Sequence, residues 1–294
     1  MLNPEALFIK GPVRLTATQV RVVDYILANP DQAAFHTAAE LGKGAGVSDA
    51  TVVRLAQTLG FSGFSEMQRH LRGRIISRLD TGTRLRRTTQ SVASLADVLR
   101  VVMRADLSNL AQTLETTSLD TFAKVVEQLR RADEVYVIGL RSAHALAVFL
   151  ASALKVLGRR VQLLTPGFDD VWSDLENLGS GSLLVAFSFP RYTSLTVEVA
   201  RACKAAGATV IAFTDSALSP LATAADLVMP ASFALDSYLE SFVAALSLIN
   251  AIVTGIAFLE GRQTLVRLSR LERMWKERHV YYPEGEEEGA PPKK

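Results

Sequence analysis

Along one side of a short helical pattern near the N-terminus lie arginine, glutamine, threonine and aspartate. In SDATVVRLAQTLG, Val52, Leu55, Ala56 and Leu59 fall at helical spacing and form a face to bury. That leaves Asp49, Ala50, Thr51, Arg54, Gln57 and Thr58 outward, side chains able to bond base edges and phosphates. Arg54 suits bidentate recognition of guanine. The residues before this helix indicate how it is presented. Gly42 is small where a preceding helix would approach, Gly46 can take the positive φ that ends a helix sharply, and Val47 can plug the gap beneath the turn. Ser48 can then cap the next helix by accepting a hydrogen bond from the Thr51 amide. Two helices crossing through so short a turn form the helix-turn-helix DNA reader. A helical hairpin in another three-helix domain would carry the same spacing.

A second chemical group sits in the C-terminal half, on two hydroxyl-rich turns that lead into helices. In GLRSAHAL, Gly139 ends a strand-like run and Ser142 stands at an expected helix N-cap. In FSFPRYTSL, Ser188 ends another such run, while Thr193 and Ser194 open a helix. Free amides at helix N-termini together with hydroxyls make an anion pocket that needs no metal. Arg141 and Arg191 add a guanidinium to each turn, suited to bidentate capture of phosphate or carboxylate. Arg191 has an alternative partner in Asp169 or Asp170.

The elements that must position these groups follow from periodicity. Thr16 is a plausible cap for a first helix with Val20, Val23, Ile26 and Leu27 as its apolar stripe, and Asn29-Pro30 stops it. Leu95, Val98, Leu99, Val102, Leu107, Leu110 and Leu114 repeat at helical spacing, and a further helix from Ser118 to Arg131 turns Phe122, Val125, Val126 and Leu129 inward. Then EVYVIG, RVQLLT, SLLVAFS, TVIAFT and DLVMPA alternate with helical stretches, the pattern of a parallel sheet covered on both faces. Ligands of such sheets bind beyond the carboxyl ends of the strands, where the winding reverses. At the far end, Gly261 punctuates a helix, Leu265, Leu268, Leu271 and Trp275 mark another, and YYPEGEEEGAPPKK reads as a solvated tail.

Charge separates the two ends. Residues 1–90 hold twelve Arg or Lys against seven Asp or Glu, whereas residues 91–294 hold twenty against twenty-three. Arg69, Arg72, Arg74, Arg78, Arg84, Arg86 and Arg87 cluster just after the reader, with Asp80 opposing them. Arg72 and Arg74 are candidate phosphate contacts; the cluster could equally be the solvated face of a linker helix. The lone cysteine, Cys203, permits no disulfide within the chain, fits a reducing cytoplasm, and falls on the core side of a helix as a small apolar residue. Met1 to Gly11 carries Glu5 and no long apolar run, so no signal peptide is expected. Phe242 to Leu259 is apolar but interrupted by Ser247, Asn250, Thr254 and Gly255, and reads as a buried helix rather than a membrane span. His36, His70, His144 and His279 lack metal-ligand spacing, and GLRSAH lacks a dinucleotide fingerprint, so no metal or cofactor is expected. His144 and Glu240 are the acid/base candidates if the chain is an enzyme.

The run from Leu15 to Leu71, above all GVSDATVVRL followed by LGFSGFSE, resembles the N-terminal domain of the RpiR family of bacterial transcription regulators. That resemblance implies a winged-helix-like or helix-turn-helix domain with its recognition helix within Ser48 to Gly60. Residues from Ala132 to Leu259 resemble the SIS (sugar isomerase) domain, through VYVIGLRSAHALA, GSLLVAFSFPRYT and GATVIAFTDSALSPLATAADLVMP. In that family the serines and threonines of the turns bind the ligand phosphate, a role that would fall here to Ser142, Ser188 and Thr193. The usual serine-glycine pair of the third turn is replaced by Pro190-Arg191, which opens a carboxylate-bearing metabolite as a rival to a phosphosugar.

The expected organisation is an α-helical helix-turn-helix domain (1–80), a helical connector (81–131), an α/β SIS domain with a five-stranded parallel sheet flanked by helices (132–260), and a C-terminal helix and tail (261–294). The expected function is cytoplasmic, non-enzymatic regulation of transcription. The partners are double-stranded operator DNA at Ser48, Asp49, Ala50, Thr51, Arg54, Gln57, Arg72 and Arg74, and a small anionic effector at Arg141, Ser142, Ser188, Arg191, Thr193 and Ser194. A homodimer or homotetramer is expected, with no membrane partner. The alternative is an SIS-type phosphosugar isomerase or lyase.

Overall fold

A computed structural model of the chain describes residues 15–68, 71, 81–90, 92–167, 170–176, 178–179, 181–217, 219–233 and 239–282. Arg69, His70, Arg72, Arg74, Arg78 and the tail from 283 lie outside the described residues.

The N-terminal helices are α1 (Ala17–Ala28), α2 (Pro30–Ala33), α3 (Ala38–Ala45) and α4 (Asp49–Thr58). Each long one begins at a side-chain cap. Thr16 and Thr37 form reciprocal capping boxes with Gln19 and Glu40, and Ser48 accepts from the Thr51 amide. Gly46 closes α3 at φ 66°, and a Cβ on Gly42 would meet the Val47 carbonyl oxygen at 2.9 Å. The turn therefore depends on both glycines, as its spacing predicts. Val22, Val23, Ile26, Leu41, Val52, Leu55, Met67 and Leu71 share one buried core. Val20 departs from the expected stripe: it is exposed, and Gln19 turns inward so that its amide donates to Thr58 Oγ1 at 2.9 Å. That bond ties the first helix to the end of α4, which is why a polar side chain displaces an apolar one at this position.

Next come α5 (Thr81–Gln90), α6 (Leu95–Thr116) and α7 (Leu119–Arg131). They lead into β1 (Glu134–Gly139), α8 (His144–Val156), β2 (Arg160–Leu164), α9 (Val171–Asp174) and β3 (Leu183–Phe187). The sheet domain continues with α10 (Ser194–Ala205), β4 (Thr209–Thr214), β5 (Leu227–Pro230), α11 (Val243–Glu260) and α12 (Arg262–Glu277). The five strands are all parallel, in the order β2-β1-β3-β4-β5. Side chains alternate between the faces. Val135, Val137, Leu183, Val185, Phe187, Ile211 and Phe213 enter a core with α7, α8 and α11. Tyr136, Ile138, Leu184, Ala186, Val210 and Ala212 enter the opposite core with α10. Both faces are thus covered, as the near-continuous apolar strands require.

Helix α11 is long and apolar enough to cross a membrane. Its Ala244, Ala245, Leu248, Ile249, Ile252 and Ile256 are nevertheless buried, in contact with α6, α7 and α8. In α12, Leu268, Leu271 and Trp275 are partly buried, but Leu265 is exposed. Thr264 takes the inward place instead, its hydroxyl donating to Glu260 at 2.9 Å. Along α6, Leu95, Leu99, Leu107 and Leu114 are exposed, whereas Asn109 and Thr113 are buried and meet Ser232 beyond β5.

Cys203 lies buried on α10, and burial pushes its thiol up to about 11. Because the thiolate is the reactive species, an aromatic disulfide reagent at about pH 8 should release no colour from the folded protein and one equivalent after unfolding. Rapid stoichiometric reaction of the native chain would contradict this packing.

Candidate functional site

On α4 the apolar face Val52, Leu55 and Ala56 is buried and Leu59 follows it, so the opposite face is held outward by the core. Asp49, Ala50, Arg54, Gln57 and Thr58 are exposed, and Thr51 is half-buried. Three side chains of this segment carry local duties. The Ser48 hydroxyl caps the helix, the Asp49 carboxylate accepts from the Ala50 amide at 2.7 Å, and the Thr58 hydroxyl donates to the Arg54 carbonyl at 2.8 Å. Arg54 and Gln57 are thus the long polar side chains of this face, the types that bond guanine and adenine edges. Arg72 and Arg74 lie outside the described residues.

At the C-terminal edge of the sheet, the loops after β1 and β3 face each other across the point where the winding reverses. They line one cleft together with the residues before α11. Its walls include Arg141, Ser142, Ser188, Arg191, Thr193 and Glu240, with Phe189 and Phe242 as apolar lining. Five of the six expected effector residues are therefore brought together. Ser194 opens α10 but is not part of the wall.

The hydroxyls are arranged differently from the expected caps. Ser142 lies within a 3-10 turn, Arg141–Ala143, and its hydroxyl donates to the Glu240 carboxylate instead of capping α8. Ser188 is buried just past β3, where its oxygen accepts from the Thr193 amide at 3.2 Å. Thr193 is the N-cap residue of α10 without a side-chain cap bond. Arg191 donates to Thr81 Oγ1 at 3.0 Å, and Asp170 instead caps α9 through the Trp172 amide. Asp169 is not described. Both cleft arginines have left-handed backbones, Arg141 at φ 56° and Arg191 at φ 71°. Such a conformation costs a side-chain-bearing residue about 1–2 kcal/mol, so each guanidinium is held where glycine would sit more easily.

Family models for the rpiR-family helix-turn-helix domain and for the SIS domain match residues 12–78 and 128–255. The sugar isomerase domain of an RpiR transcription factor from Sphaerobacter thermophilus is 34% identical, spans 58% of this chain and 96% of its own, and superposes with a TM-score of 0.56. This chain belongs to the RpiR family of transcription regulators. An uncharacterized HTH-type transcriptional regulator of Haemophilus influenzae is 24% identical over 216 residues, 73% of this chain and 75% of that one. The Vibrio vulnificus NanR protein, solved with ManNAc-6P, shares 20% identity, spans 90% of this chain and 94% of its own, and has a TM-score of 0.57. At that identity NanR carries the shared fold.

Two residues named in the sequence take partners that it did not indicate. Glu240, weighed there as an acid/base candidate, accepts from Ser142 and pairs with Arg84 at 3.5 Å. Arg84, counted with the basic cluster as a phosphate contact or a solvated charge, is instead buried on α5. Thr81 and Arg84 both reach cleft residues because they are three apart on one helix face; that spacing was the available signal. His144, the other acid/base candidate, has its Nδ1 3.0 Å from the Gly139 carbonyl oxygen.

Arg191→Gly should keep or raise folding stability by up to about 1 kcal/mol in urea unfolding, since glycine adopts a positive φ freely. Arg191→Ala keeps that backbone strain and loses the Thr81 bond, and should be less stable by about 0.5 kcal/mol. A glycine variant less stable than the alanine variant would overturn this account of the loop.

Proposed function

We propose that this regulator senses a small anionic metabolite in the cleft between the β1 and β3 loops and changes its operator affinity in response. In this reading residues 1–80 read DNA, 81–131 connect, 132–260 sense, and 261–294 form the C-terminal segment. The carrying observation is convergence: two hydroxyl-bearing loops, each with a guanidinium, border one cleft at the topological switch point. Arg141 and Arg191 supply charge, and Ser142, Ser188 and Thr193 supply hydroxyls and amides. A phosphorylated sugar suits that set, and the ManNAc-6P of the NanR structure supports this class over a bare carboxylate. Ser194 serves the start of α10 in this reading.

Non-enzymatic action is the reading the cleft favours. Glu240, the carboxylate of the cleft, is already engaged by Arg84 and Ser142. Paired readers impose two-fold symmetry on an operator, so we place the chain in a homodimer or a dimer of dimers. The exposed Leu95, Leu99, Leu107 and Leu114 form an apolar face that a second copy would cover. Ser48, Asp49, Ala50, Thr51, Arg54 and Gln57 are the DNA-facing set on α4.

Arg54→Ala should lose about 1–3 kcal/mol of operator binding and relax discrimination at one base pair, as judged by titration against single-base operator variants. Ser188→Ala should leave effector-free DNA binding intact and weaken the response to a sugar phosphate by about 0.5–1.5 kcal/mol. Operator affinity unchanged in the first variant, or an effector response unchanged in the second, would remove that residue from its role.

A further inference from the structure

Helix α5, the first described helix after the reader, engages two charged walls of the cleft at once. Arg84, with 3% of its side chain exposed, pairs with Glu240, itself 19% exposed, and Arg191 donates to Thr81. Glu240 and Arg191 come from opposite sides of the cleft, one before α11 and one after β3. The cleft between these walls offers about 30 Å³, space for little more than a water or two. Small-molecule sites are typically about ten- to thirtyfold larger.

We propose that Glu240 is the exchange point of the sensor. The effector's hydroxyl or ammonium donors take Glu240 from Arg84, and its anion takes Arg191 from Thr81, so a filled cleft and a seated α5 exclude one another. The inference rests on the cleft being the effector site and adds a requirement on the sugar phosphate proposed there. The effector must carry hydrogen-bond donors at the end opposite its phosphate, as a polyhydroxylated or amino sugar phosphate does. The chemistry of the wall explains why. Glu240 as a carboxylate only accepts, and leaving Arg84 without an equivalent donor in its place would strand a partly buried charge. Reciprocity follows from linkage: whatever factor the seated helix costs the effector, the bound effector costs the seating of the helix. Because α5 follows the reader in the chain, its release changes how that reader can be placed.

The test uses the full-length protein, with glucose 6-phosphate and N-acetylmannosamine 6-phosphate as probes and inorganic phosphate as the donor-poor reference. Amide exchange reports the seating of α5, and calorimetry reports binding. Arg84→Ala should speed exchange across residues 81–90 and tighten the binding of at least one sugar phosphate about tenfold, because the competent state no longer has to be released. Inorganic phosphate, which cannot span to Glu240, should gain less. Combining Arg84→Glu with Glu240→Arg should restore protection of α5, which also guards against a variant that merely folds poorly. Weaker sugar-phosphate binding in Arg84→Ala would make Arg84 a ligand contact and overturn the exchange, as would unchanged protection of α5. Sugar-phosphate binding lost in Ser188→Ala but not improved in Arg84→Ala overturns the exchange alone. Binding indifferent to Ser188→Ala, or absent for both sugar phosphates in every variant, overturns the cleft reading and the exchange with it.

Discussion

The reversal of winding between β1 and β3 is the constraint on which the C-terminal half depends. Parallel strands are joined by right-handed crossovers, so a strand order of β2-β1-β3 sends the chain leaving β1 over one face of the sheet and the chain leaving β3 over the other. The packing shows this: α8 joins Leu183, Val185 and Phe187 in one core, and α10 joins Leu184 and Ala186 in the opposite core. The two loops part at that point and leave a crevice. Ser142 and Arg141 arrive there from one loop, and Ser188, Arg191 and Thr193 from the other.

Within that crevice the backbone carries a cost that the side chains explain. Left-handed conformations at Arg141 and Arg191 are unfavourable for any residue with a Cβ, and such outliers persist where the surroundings over-determine them. Here the surroundings are rigid: the flanking strands are buried on both faces, and the Ser188 amide is tied to the Phe213 carbonyl on the neighbouring strand. A guanidinium at such a position presents a planar fork whose shape matches phosphate and carboxylate oxygens.

The Arg84–Glu240 pair differs in kind from the surface pairs of this protein. Lys124 and Asp120 are mostly exposed, and a pair of that sort contributes at most about 1 kcal/mol. Removing one partner of a buried pair costs roughly 3–5 kcal/mol, yet replacing both by apolar groups is often neutral. A buried pair is therefore a poor source of net stability and a sensitive place to register a change of partner. An effector shifts an equilibrium only as far as it discriminates between two states. In the proposed exchange, the Arg84–Glu240 pair is the contact through which an effector would discriminate between the two states.

Much of the fold was legible because its signals are local. Thr16, Thr37 and Ser48 cap through bonds spanning three residues, Gly46 ends α3 by its own φ, and the five strands carry apolar runs that are complete within each segment. The exposed side of α4 was legible for the same reason, since a helix with one apolar stripe has one face left over. The membership of the cleft was partly legible, because strand-end loops and their hydroxyls can be located before their partners are known. What the sequence could not determine are partnerships between distant segments of the chain. Gln19 displaces Val20 from the core because Thr58 lies opposite it, and Ser142 gives up its cap because Glu240 is within reach. Arg84 is buried where it meets Glu240, a residue more than 150 positions further along the chain. Spacing along the chain determines which residues share a face; only the packing of one element on another decides what that face meets.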